Sequence, residues 1–167
     1  MKAFAIIGLS TLALAAGVAA THAQAPPPPA RGPAMDLAVE AAQTAIATCK
    51  ANGYKVGAVV VDSAGETRVI LVADGASSMT GQFATRKAYT ANAFKKPSGA
   101  VGEAAKTDKA LADRIAADPK LITWAGAQPL TVGGVVIGAL GVGGAPGGDK
   151  DDACTSAGIA KIQGRLS

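Results

Sequence analysis

The sequence predicts an α+β domain in the element order αββααββα, an antiparallel sheet covered by helices. Three observations carry that prediction. Apolar residues recur at helical spacing from Leu37 to Cys49 and again between Ser77 and Lys96. Two β-branched runs, Val56 to Val61 and Thr67 to Val72, flank a short Asp62-Ser63-Ala64-Gly65 turn. A second pair of runs, Gln128 to Val132 and Val135 to Val142, flanks Gly133-Gly134. Each run pairs with its neighbour through a tight turn, and such turns join antiparallel strands.

In chain order, the first helix places Leu37, Val39, Ala41, Ala42, Ala45, Ile46 and Cys49 on one side. Asp36 caps its first turn and Asn52-Gly53 stops it. After the first hairpin, Ser77 to Lys96 carries Met79, Phe83, Lys87, Thr90 and Phe94 on neighbouring turns until Pro97 interrupts it. Gly99 to Ala117 is expected as one further, more polar helix ending at Asp118-Pro119. Following the second hairpin, Gly143 to Gly148 is a flexible loop, and Asp149, Asp151 and Asp152 suit the positive end of a closing helix.

The chain of 167 residues accommodates one such domain with a leader before it. Lys2 followed by the apolar Ala3 to Ala20 and the small-residue pattern Thr21-His22-Ala23 reads as a secretory signal over residues 1–23. An uncleaved anchor is the competing reading, weakened by the Ala and Gly content. Residues 24–34 hold five of the nine prolines and form a stiff polyproline spacer, or a docking motif for a partner. The domain proper spans residues 35–167. Export to a periplasmic or extracellular compartment follows, with no stable membrane insertion once the signal is removed.

Composition excludes several classes of function. The net charge of +4 is mild, the cations are scattered and aromatic residues make up 4%, so no stacking platform for nucleic acid exists. Gly141-x-Gly143-x-x-Pro146 lacks the third glycine of a dinucleotide fingerprint, and no phosphate loop is present. The single histidine, His22, lies in the leader, which removes the usual base of a serine or cysteine triad and the usual zinc ligand from the domain. Asp149, Asp151 and Asp152 could hold a hard cation, although capping of the closing helix explains them as well. Cys49 and Cys154 are the two cysteines; if the first and last helices pack antiparallel, an exported chain would join them in a disulfide.

A family resemblance covers nearly the whole domain, from about Leu37 to Ile162. It is carried by Val61-Asp62-x-x-Gly65, Asp74-Gly75-Ala76, Lys87-Ala88-x-Thr90-Ala91, Gly126 with Pro129-Leu130, and Ile137-Gly138-Ala139-Leu140-Gly141-Val142-x-Gly144. The closing Asp149-x-Asp151-Asp152-x-Cys154-x-x-Ala157-Gly158 continues the series. In this order and spacing the chain resembles the GlcG/HbpS-like haem-binding family, also termed haem-degrading or domain of unknown function 336. It departs from the family pattern at Val72, Ala127 and Gly143, where Arg, Gly and Ser are usual.

The resemblance implies a profilin-like α/β/α sandwich that assembles into homo-oligomers. It further implies an exported haem or tetrapyrrole binder engaged in haem handling or redox sensing. A small-metabolite enzyme and an oligomeric sensor-accessory module of the same family are the alternatives, and no conventional acid–base pair favours the enzyme. Haem needs an apolar slot, cations for its propionates and usually an axial ligand. The second helix offers pieces of all three: Met79 as a thioether, Phe83 as a ring contact, Arg86, Lys87 and Lys95 as cations, and the Thr90 hydroxyl of the family motif. Met79 and Phe83 at helical spacing are more often simple core residues. Without a histidine, axial ligation falls to Met79, Tyr54, Tyr89 or a thiolate.

Overall fold

The structure, a computed structural model, describes residues 29–167. The expected leader and the first residues of the proline-rich spacer lie outside the described residues. The chain forms α1 (Met35–Ala51), β1 (Gly57–Asp62), β2 (Thr67–Val72), α2 (Thr80–Phe94), α3 (Ser98–Ala105), α4 (Lys109–Ala117), β3 (Ala127–Val132), β4 (Val135–Gly143) and α5 (Gly148–Ile162), closed by a short 3-10 turn. The four strands make one antiparallel sheet in the order β2-β1-β4-β3. The α+β sandwich expected from the sequence is therefore the observed one.

Both predicted hairpins form, and their turns have the expected chemistry. Gly133 and Gly134 both have positive φ, 55° and 79°, as a two-residue turn joining right-twisted strands requires. In the other turn an Asp62 side-chain oxygen accepts from the Ala64 and Glu66 amides. Beside it the end of the proline-rich segment is docked, with Arg31 and Ser63 exchanging hydrogen bonds and Pro33 buried.

The polar helix expected over Gly99 to Ala117 is instead two helices. Asp108 leaves the helical conformation and its carboxylate accepts from the Leu111 amide, so it caps a new helix at Lys109. The capping preference of Asp outweighs the helical periodicity around it.

One face of the sheet carries α1 and α5. They run antiparallel, since Cys49 near the end of α1 is joined to Cys154 near the start of α5, and Arg165 just past α5 pairs with Glu40 on α1. The expected disulfide is thus in place, its Cα atoms 5.6 Å apart across 105 residues. Leu37, Ala41, Ala45, Ala58, Val60, Leu130, Leu140 and Val142 fill this layer. Gly158 lets the helices meet, because a Cβ there would lie 2.5 Å from the Ala41 carbonyl.

The other face carries α2 over a thinner apolar layer of Val59, Val61, Ala84, Ala88, Ala91, Ala127 and Ala139. Here α2 sits almost on the strand backbone, since a Cβ on Gly141 would lie 2.5 Å from the Ala84 carbonyl. So few large side chains leave room for buried polar groups, and Lys87, Thr90, Asn92, Ser98 and Asp151 are all buried on or beside this side. Among the described residues no helix is long and apolar enough to cross a membrane.

Candidate functional site

A cavity of about 380 Å³ opens where the first turns of α2, the β4–α5 loop and the segment before β3 converge. Ser77, Thr80, Phe83 and Lys87 line it from the α2 side, Trp124 from the segment before β3, and Gly144, Ala145, Gly147, Gly148 and Asp151 from the β4–α5 loop and α5. Its volume lies within the range of small-molecule and cofactor sites.

The innermost polar group is an ion pair. Lys87 Nζ donates to Asp151 Oδ2 at 2.6 Å, and both side chains are 3% exposed. The second Asp151 oxygen accepts from the Ala145 amide, so one carboxylate ties α2, the β4–α5 loop and α5 together. Burial raises the Asp151 pKa, against the opposing pull of Lys87 and the Ala145 amide. Asp152 accepts from the Gly126 amide and its pKa is likewise raised by burial. Gly126, at φ 129°, has no room for a side chain, because a Cβ there would lie 2.7 Å from Lys87 Nζ. Asp151 and Asp152 are thus engaged by protein groups, and among the described residues no group of three or more His, Cys, Asp or Glu could hold a metal ion.

Two rings form the open wall. The centroids of Phe83 and Trp124 are 5.4 Å apart with their planes tilted by 50°, within the range of favourable aromatic pairs. Trp124 is nonetheless 58% exposed. The segment that carries it is held at three points: Ser98 Oγ donates to the Trp124 carbonyl, Arg86 donates to the Leu121 carbonyl, and Thr90 Oγ1 accepts from the Ile122 amide. The hydrogen-bonded segment thus presents a large ring to solvent at the cavity wall.

The residues singled out from the sequence therefore divide. Phe83 and Lys87 lie together in the cavity wall. Arg86 faces a separate cavity of about 280 Å³ with Tyr89 and Lys120. The Thr90 hydroxyl is buried, donating to the Arg86 carbonyl while it holds Ile122. Arg86 and Thr90 thus act on the cavity through the Trp124 segment. Met79 precedes α2, is 43% exposed and is not among the cavity's lining residues. Lys95 caps the far end of the helix and donates to Asn92.

Sequence reasoning missed Trp124, Thr80 and the pairing of Asp151. Trp124 had a usable signal, being the one tryptophan of the chain and placed in a loop. Asp151 had none, because its partner lies 64 residues earlier.

Residues 34–160 match the family model described as haem degrading protein HbpS-like. A double mutant of HbpS from Streptomyces reticuli is 32% identical, covering 89% of this chain and 98% of that one, with a TM-score of 0.73. At 21% identity the PduOC:haem complex superposes with a TM-score of 0.71, covering 80% and 96% of the two chains. The Klebsiella pneumoniae protein ORFY, of the DUF336 family, is 20% identical with a TM-score of 0.75 over 86% and 99%. These last two matches establish likeness of fold. No curated protein matches the sequence.

Proposed function

We propose a tetrapyrrole-binding role from one premise: the chain belongs to the HbpS-like haem-degrading family. The ligand is haem or a related tetrapyrrole, and the site is the cavity between α2, the β4–α5 loop and Trp124. The observation that carries this reading is the ring pair, Phe83 at the wall and a rigidly mounted, exposed Trp124 at the mouth. A flat apolar macrocycle gains most from such a surface, through burial and offset stacking. The residues present fit the macrocycle in that respect. Haem, when bound, would supply a redox-active iron; Phe83 and Trp124 would hold the ring, and the β4–α5 loop would border it.

Lys87 has a different role from the one expected for a surface cation. It is already paired with Asp151 and almost fully covered, so it shapes the cavity floor and leaves ligand carboxylates to the rim. Lys150 stands beside Gly147 at that rim, with the Asp149 carboxylate 3.7 Å from its amine.

Export and homo-oligomeric assembly belong to the same proposal. The Lys2-led apolar segment supports export, and the Cys49–Cys154 disulfide suits an oxidising compartment. A role in haem handling or redox sensing follows from binding there. The test is a haemin titration followed at the Soret band. Phe83→Ala should weaken binding by about tenfold, whereas Lys109→Ala, on α4 away from the cavity, should leave it unchanged. Equal affinity in wild-type and Phe83→Ala protein, or no saturable Soret change in either, sinks the assignment.

A further inference from the structure

Resting on that tetrapyrrole reading, we infer that the site recognises the macrocycle and not its metal, so that free-base and iron porphyrins bind with comparable affinity. The inference comes from the donors that the cavity offers. Its walls hold no imidazole, thiolate, thioether or phenolate, the side chains that hold haem iron.

Among the described residues the remaining candidate donors lie outside the lining, Met35 among them, 65% exposed at the start of α1. Cys49 and Cys154 are bonded to each other on the opposite face of the sheet. Tyr54 and Tyr89 line two other cavities. Met79 is exposed ahead of α2, outside the lining. His22 lies outside the described residues.

Three of the polar side chains that line the cavity, Lys87, Asp151 and Thr80, are committed within the protein. Lys87 Nζ is held by Asp151 Oδ2, and Asp151 Oδ1 by the Ala145 amide. Thr80 donates its hydroxyl hydrogen to the Ser77 carbonyl. An amine held 2.6 Å from a carboxylate must leave that partner to bind a metal, which uncovers a buried charge. The aromatic pair, by contrast, acts on the ring system whatever its centre contains.

The experiment compares absorbance titrations of haemin and of protoporphyrin IX into the full-length chain carrying His22→Ala, which removes the one imidazole. Dissociation constants within about tenfold of each other are expected, with a ferric high-spin Soret spectrum and with Trp124→Ala weakening both ligands alike. Met79→Leu should change neither titration. Haemin binding tighter by tenfold or more, or a loss confined to haemin in Met79→Leu, overturns the inference while leaving tetrapyrrole binding intact. If neither porphyrin binds, the inference falls together with the reading on which it rests.

Discussion

The two faces of the sheet are built by different means. Under α1 and α5 the strands present Leu, Ile and Val, the helices meet at Gly158, and the Cys49–Cys154 disulfide closes the layer. Under α2 the apolar layer is mostly alanine, and the remaining volume is taken by the Lys87–Asp151 pair and by Thr90 and Ser98, which hold the Trp124 segment. A close-packed apolar layer stabilises without offering a place to bind. A layer of small residues and buried hydrogen bonds leaves a cavity beside it, and there the polar groups fix the surfaces a ligand would meet. The disulfide-closed apolar layer and the proposed binding cavity thereby lie on opposite sides of one sheet.

The largest effect that can break this division lies at the ion pair. Lys87→Met alone leaves Asp151 buried without its cation and should lower unfolding free energy by about 3 to 5 kcal/mol. The double variant Lys87→Met, Asp151→Asn should recover much of that loss, because Asn can still accept from Ala145. Denaturant titration of the three proteins decides it. No recovery in the double variant would mean that the pair's charge is itself required.

On the opposite face, replacing both cysteines by alanine should cost about 2 to 5 kcal/mol, with the long closed loop favouring the upper end. Haem affinity of the folded variant should not change. A variant of undiminished stability, or one folded but unable to bind, would show that the faces are not separate in this sense.

Thr90→Val tests the positioning of Trp124. It keeps the volume but removes the acceptor for the Ile122 amide, for a loss of about 1 to 3 kcal/mol. Trp124 fluorescence should shift, as it would not if Thr90 served packing alone.

The smallest effect concerns pH. Burial holds the Asp152 carboxyl above its ordinary pKa of 3.8, so the folded state keeps this proton longer than the unfolded chain. The stability contributed by that protonation is complete below pH 3.8 and disappears as pH rises through the raised pKa. Asp152→Asn never ionises, so stability measured from pH 3 to 7 should move in its favour as pH rises over wild type. A difference independent of pH would contradict the assignment.

Much of this architecture is legible in the sequence, because the signals are local. Gly133-Gly134 dictates a tight hairpin, and the helical period of α1 needs no tertiary information. With two cysteines in an expected exported domain the disulfide has one possible pairing. The division of Gly99 to Ala117 at Asp108 escapes a reading by periodicity, since capping there outweighs the pattern. The site is less legible. Lys87 and Thr90 stand out through their motif, but what each does depends on Asp151 and Ile122, 64 and 32 residues away. Arg86 has the chemistry of a ligand contact, yet the packing of α2 turns it towards the Leu121 carbonyl.

A crystal structure of the protein with haemin tests the central claim most directly. The account predicts the macrocycle against Phe83 and Trp124, bordered by the Gly144–Gly148 loop, with the Lys87–Asp151 pair intact beneath it. A macrocycle seated instead beside Arg86 and Tyr89, or against α1 and α5, would contradict it.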